Sequence, residues 1–236
     1  MNKKNNINFF CLIIINILLI LTILIIGKDY VIKILIKAII NFYSGKVKII
    51  GKQNIPTQNG YIVVSNHNFI CETFIIKKIL NTDFFIIAKE NPLIKLVCDN
   101  LNLVLYNKEE NKIKESGKII KKIILEKIIN NKNVIIFPEG SISHSDYLLK
   151  FKKGLFYLCY ENNIPILPII ICIKKNSKYS QKGFFLLLDK KIKIKIFKMV
   201  YPNSFKNFVT YYNYIYNIMN DFIVNYINNN KYSIFI

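Results

Sequence analysis

Two stretches of the chain join a short apolar run to polar residues that packing does not require: Tyr61 to Glu72, YIVVSNHNFICE, and Val134 to Ser143, VIIFPEGSIS. In the first, His67 follows Asn66 at the exit of the run and Glu72 stands five positions on. On one continuous helix, residues five apart lie roughly 140° apart, so these two side chains would face different directions. They can meet if His67 stays in the turn leaving a strand and Glu72 occupies the first turn of a helix over about Phe69 to Leu80. A carboxylate is favoured there by the helix N-terminus as well. Folded onto the imidazole, it would fix the ring tautomer and stabilise the imidazolium. The other ring nitrogen could then take a proton from an attacking hydroxyl. The competing reading is a turn histidine beside a solvated helix-start glutamate.

Further blocks follow in order: Phe137-Pro138-Glu139-Gly140-Ser141, then Leu148-Leu149-Lys150-Phe151-Lys152-Lys153-Gly154, then Ile164-Pro165-Ile166-Leu167-Pro168. With Asn66-His67-x-x-x-x-Glu72, their order and spacing resemble the motif blocks of the 1-acyl-sn-glycerol-3-phosphate acyltransferase family, from about Val47 to Ile173. The resemblance implies a glycerolipid acyltransferase fold and the transfer of a fatty acyl group from acyl-CoA or acyl carrier protein to 1-acyl-sn-glycerol 3-phosphate, giving phosphatidic acid. It implies His67 as general base and Glu72 as its orienting acid. Asn66 matches the family's Asn before the His and is implied as a substrate-binding residue, together with Glu139, Gly140 and Ser141 of the block that positions the acceptor. Lys89, in IIAKENP, resembles the Lys of an intermediate block, and Lys152 that of the FK-x-G segment. No metal and no cofactor beyond the acyl thioester co-substrate is expected.

The pattern is departed from in three places. The family's usual aspartate is Glu72 here, which adds one methylene of reach and one rotor. Position 142, usually an arginine that grips phosphate, is Ile142, which donates nothing. LVLYNK aligns either Asn107 or Lys108 with the family's intermediate-block arginine. All 34 basic residues are lysine and tryptophan is absent, a bias that looks like codons driven toward A and T. A lysine can replace arginine as a point charge on phosphate without its planar fork, and Lys150, Lys152 and Lys153 lie close to the FPEG turn. Ile142 also leaves room for another acceptor, glycerol 3-phosphate or a lysophospholipid with a larger head. A non-catalytic membrane-surface protein of the same fold is the remaining alternative.

The elements that must position these residues read as alternating strands and helices. Strands are expected near Val47 to Ile50, Tyr61 to Ser65, Phe84 to Ala88, Leu103 to Tyr106, Val134 to Phe137 and Ile166 to Ile173, with helices near Phe69 to Leu80, Lys112 to Asn130 and Phe151 to Asn162. Short, fully apolar strands separated by helices predict an α/β fold, a mostly parallel central sheet flanked by helices on both faces. FFLLL and KIKIKIF, within Lys182 to Val200, suggest two strands of a hairpin around Asp189-Lys190, the second with one wet and one buried face. Tyr211 to Ile227 reads as a closing helix.

Ahead of this domain, assigned to residues 46–236, Ile7 to Ile26 holds twenty uncharged residues, enough to cross roughly 30 Å of hydrocarbon. An uncleaved transmembrane anchor is favoured over a secretory signal, since no small-x-small pattern follows before Lys28. The lysines after it outnumber Lys3 and Lys4 before it, which predicts a cytoplasmic catalytic domain. Tyr30 to Tyr43 carries Lys33 and Lys37 four apart among Val, Ile and Leu, the pattern of an interfacial helix or of a second helix packed on the anchor. The net charge of +20 suits an anionic membrane surface, and no nucleic-acid module is visible. The five cysteines, Cys11, Cys71, Cys98, Cys159 and Cys172, lack metal-ligand spacing. They read as reduced thiols. An acyl-enzyme at Cys71 and a substrate contact at His144 are the minor alternatives.

Overall fold

The computed structural model describes residues 47–67, 72–89, 102–106, 113–143, 147–173 and 192–230. The anchor expected at 7–26 and the helix expected at 30–43 lie outside these, as do FFLLL, Cys71 and His144. Among the described residues no helix is long and apolar enough to cross a membrane.

Isoleucine- and valine-rich runs form the strands, as β-branched side chains favour a pleated, buried surface. These are β1 (Val47–Ile50), β2 (Ile62–Ser65), β3 (Phe84–Lys89), β4 (Leu103–Tyr106), β5 (Asn133–Ile136), β6 (Ile166–Ile173) and β7 (Ile192–Ile196). The helices are α1 (Glu72–Leu80), α2 (Ile113–Ile129), α3 (Lys153–Glu161) and α4 (Phe208–Asn230). The strands make one sheet in the order β1-β7-β6-β2-β5-β3-β4. Among the described strands only the β6–β7 pairing is antiparallel, Ile171 opposite Ile194; β1 pairs with β7 in parallel, Val47 opposite Ile192.

Chain direction decides which face each helix covers. From β2 the chain passes through α1 to β3, beyond β5; from β4 it returns through α2 to β5, and through α3 to β6 on the far side of β2. Right-handed crossovers running in opposite directions put their helices on opposite faces. Accordingly Val63 and Ile135 pack with Ile75, Ile76 and Leu80 of α1, while Ile62, Val64 and Val134 pack with Ile124 of α2 and Phe156 of α3. The winding reverses beside β2, and open α/β sheets hold their ligands at the carboxyl ends of the strands beside such a reversal.

α4 closes the second face with Tyr211, Ile215, Met219 and Ile223, four apart and fully buried. Burying an isoleucine contributes roughly 1.5–3 kcal/mol. The alternation in β7 holds for its isoleucines, all buried, but the lysine face is not the wet one expected. Lys193 Nζ lies 3.8 Å from the ring centroid of Tyr226 in α4, and Lys195 Nζ lies 5.7 Å from that of Phe197, whose ring meets Phe222 edge-on. The aliphatic stems cover the strand while the ammonium groups sit on π faces.

Three helices that feed a strand end on asparagine with positive φ: Asn81 after α1 (φ 49), Asn131 after α2 (φ 53) and Asn163 after α3 (φ 49). Asparagine tolerates the left-handed region better than other side chains. After α2 and α3 the next residue closes the wide terminal bond, Lys132 N–H to the Lys127 carbonyl and Ile164 N–H to the Cys159 carbonyl, each 2.9 Å.

Candidate active site

β2 and β5 are parallel neighbours, Ile62 to Val64 paired with Val134 to Ile136, so their exits open on the same edge. His67 leaves the first and Phe137-Pro138-Glu139-Gly140 the second. Sequence separation of 72 residues between His67 and Glu139 is thereby reduced to one hydrogen bond, His67 N–H to Glu139 Oε1 at 2.9 Å.

His67 lies in the turn after β2, and Glu72 begins α1 among the described residues. The fold-back is closed: His67 Nδ1 and Glu72 Oε2 are 2.9 Å apart. Glu72 is completely buried and the His67 side chain is 21% exposed. With Glu72 ionised, the contact puts the proton on Nδ1 and leaves Nε2 as the acceptor. The imidazole also stacks on Phe137, ring centroids 4.2 Å apart and planes 21° from parallel. This is the geometry of a general base held from one side by an acid and from one face by a ring.

The FPEG turn is tied together across its backbone. Gly140 N–H donates to the Phe137 carbonyl at 3.1 Å, Ser143 N–H to the His67 carbonyl at 2.7 Å, and Lys152 N–H to the Pro138 carbonyl at 2.9 Å. Gly140 has φ 75, and a Cβ there would collide with Nζ and Cε of Lys152. The glycine is needed for its left-handed backbone, whereas the flexible, exposed end of Lys152 that crosses over it has room to move aside. Lys152 and Ser141 are exposed at this surface. Ile142 beside them is 39% exposed and offers no hydrogen bond.

Two residues expected beside an acceptor face inward instead. Asn66 is 1% exposed. Its Nδ2 donates to the Ile171 carbonyl at 3.0 Å and its Oδ1 accepts the Ile171 N–H at 2.9 Å, extending the β2–β6 ladder with a side-chain amide. Glu139 is 6% exposed, and its second oxygen accepts the Leu149 N–H at 3.0 Å. Burial pushes its carboxyl up to about 7, partly offset by the bonds from His67 and Leu149; Glu72 raises it further and His67 lowers it. Lys89 ends β3 on the same edge; its side chain lies outside the description.

The stacking of Phe137 was not signalled by spacing, nor was the support behind the turn. Tyr212 of α4 donates its hydroxyl to the Phe151 carbonyl at 2.8 Å, and Tyr216 to the Leu148 carbonyl at 3.4 Å. Both tyrosines belong to an ordinary buried helix stripe in the sequence. Cys159 and Cys172 are buried in the core, and burial raises both thiols above their ordinary range. Among the described residues no group of His, Cys, Asp and Glu could hold a metal ion.

The family model described as Acyltransferase matches residues 46–172. That is more than half of the chain, and the protein belongs to this family. The 1-acyl-sn-glycerol-3-phosphate acyltransferase alpha of Mus musculus is 24% identical over 151 residues, which cover 60% of this chain and 52% of the relative. The 1-acyl-sn-glycerol-3-phosphate acyltransferase of Saccharomyces cerevisiae is 30% identical over 130 residues, 53% of this chain and 42% of the relative. The chain spans about half the length of the curated relatives it matches. In fold it is similar to the crystal structure of the 1-acyl-sn-glycerophosphate (LPA) acyltransferase PlsC from Thermotoga maritima, with TM-score 0.55 and 22% identity over 84% of this chain and 80% of that one.

Proposed function

We propose that this protein is a membrane-bound O-acyltransferase that moves a fatty acyl group from acyl-CoA or acyl carrier protein to 1-acyl-sn-glycerol 3-phosphate, giving phosphatidic acid. The observation that carries the reading is the 2.9 Å contact between His67 and a wholly buried Glu72, beside the turn crossed by Lys152. His67 Nε2 removes the proton from the acceptor hydroxyl as that oxygen attacks the thioester carbonyl. The tetrahedral adduct then breaks its C–S bond, and the imidazolium returns the proton to the departing thiolate. A thioester is already activated, so the base supplies what is lacking, nucleophile strength in the alcohol. Lys152, with Gly140 and Ser141, receives the acceptor's phosphate, and Lys89, at the end of β3 on the same edge, is assigned to the same role. Residues 7–26 anchor the chain, residues 30–43 keep the site at an anionic membrane surface, and the catalytic domain is cytoplasmic.

The test is phosphatidic acid formation by the full chain in detergent or vesicles, followed with labelled acyl-CoA and with acylated carrier protein. Product from wild type and none from His67→Ala is the expected result. Absence of acyl transfer by wild type to every acceptor tried would refute it. A second acceptor is favoured by one observation, the exposed Ile142 at the turn, which gives phosphate no donor. Glycerol 3-phosphate and lysophospholipids with larger heads therefore belong in the same panel, and a preference for one of them would replace lysophosphatidic acid as the substrate.

A further inference from the structure

Residues 137–143 hold His67 at three separate points. Phe137 stacks on the ring, Glu139 Oε1 accepts the backbone N–H, and Ser143 N–H donates to the backbone carbonyl. The other Glu139 oxygen is engaged by Leu149 N–H. Both oxygens are taken by backbone N–H groups, so neither is turned toward an acceptor, and in its ionised form the carboxylate would meet a phosphate as like charge.

We propose that Glu139 is a positioning residue for His67, fixing the base through its backbone amide, and that it does not touch the acceptor. The inference rests on the acyl-transfer reading above and says what one residue does within it. Glu72 holds the ring at Nδ1 alone, which leaves the His67 backbone able to turn about that contact and carry Nε2 away from the hydroxyl. Glu139 removes this freedom from one side while Asn66, bolted to Ile171, removes it from the other. The need for two acceptors facing two N–H donors explains why a carboxylate is buried here although burial disfavours its charge. A glutamine would accept one N–H and point its own NH2 at the second. Lys152 keeps its place without Glu139, through its N–H to Pro138 and its passage over Gly140.

Glu139→Gln and Lys152→Ala therefore separate along different kinetic axes. A misplaced base costs rate in the transition state, by roughly 10–100-fold in kcat, so Glu139→Gln should lower kcat with acceptor KM within about twofold of wild type. Lys152→Ala should raise acceptor KM by roughly tenfold with kcat little changed. Glu139→Gln that raises KM and spares kcat, or that changes neither, overturns the proposal. Two NMR readouts need no turnover and so stand apart from the identity of the substrate. The His67 Nδ1–H resonance should be protected in wild type and broaden in Glu139→Gln. In wild type, His67 and Leu149 amide resonances should shift together through one midpoint as Glu139 titrates, with Glu72 and His67 the other titrating groups against it. Independent midpoints for the two amides overturn the proposal even if the variant fails to fold. A wild type inactive on all acceptors but with both NMR signatures would remove the acyl-transfer reading and leave the positioning geometry standing.

Discussion

At the amino edge of the sheet Asn133 is fully buried with every donor and lone pair of its amide in use. Oδ1 accepts the N–H groups of Gly60 at 2.8 Å and Tyr61 at 3.3 Å, and Nδ2 donates to Asn59 Oδ1 at 2.8 Å and Thr82 Oγ1 at 3.3 Å. At the carboxyl edge Asn66, Glu72 and Glu139, together with the small hydroxyl residues Ser65, Thr73 and Ser143, are buried around a partly open imidazole. Both edges join loops distant in sequence. The first does so with a neutral group at little electrostatic cost, the second with two carboxylates that burial disfavours. The costly groups are thus gathered at the edge that carries the His67–Glu72 contact.

Substitutions should therefore divide by edge. The largest effect is expected from His67→Ala, which should reduce acyl transfer by roughly 10²–10⁴-fold while leaving the thermal midpoint close to wild type. A fall in stability matching the fall in activity would erase the distinction. Asn133→Ala should behave in the opposite sense, with a loss of about 3 kcal/mol from two orphaned N–H groups, read by chemical denaturation, and ordinary turnover wherever the protein remains folded. Glu139 sharpens the contrast through pH. Its carboxyl is raised from 4.5 to about 7, so the folded state keeps a proton that the unfolded chain releases. Stability from this group should fall as pH climbs from about 4.5 to about 7, by about 3 kcal/mol in all, and Glu139→Gln should flatten that window. Asn133→Ala should keep the slope. The smallest effect is expected from Ile142→Arg, which adds a donor at the exposed turn. A severalfold lower acceptor KM for a phosphate-bearing acceptor, of the order of 1 kcal/mol, would be measured by initial rates. No change would mean that Lys152 already fills that place.

The sequence announced the strands because runs of isoleucine and valine bounded by turn residues favour them, while five-residue spacing allowed the His67–Glu72 contact without requiring it and the family resemblance is what implied it. What it could not announce was strand order. The insertion of β5 between β2 and β3 follows from crossover direction, and no residue in VIIF encodes it. Asn66 and Glu139 were legible as polar residues at strand exits, yet whether each side chain turns in toward backbone or out toward a ligand depends on partners 105 and 72 residues away. Lys193 looks solvated in the sequence because its π partner, Tyr226, lies on a helix not yet folded against it, whereas Lys195 finds Phe197 two residues on. The asparagines closing α1, α2 and α3 were equally silent, since Asn is common throughout the chain and only φ distinguishes these three.

Those asparagines bear on how such a protein can exist at all. The chain contains only eight glycines, and its composition looks like that of a coding sequence drifting toward A and T, which depletes the G-rich glycine codons. Asparagine, written with A, A and a pyrimidine, can take over the sharp corner from helix to strand. Glycine is then kept for places such as position 51, where φ is 82 and the Ile196 backbone carbonyl occupies the space of any side chain. The three corners that lead from helix into strand at positions 81, 131 and 163 are thus turned without the most pliant residue.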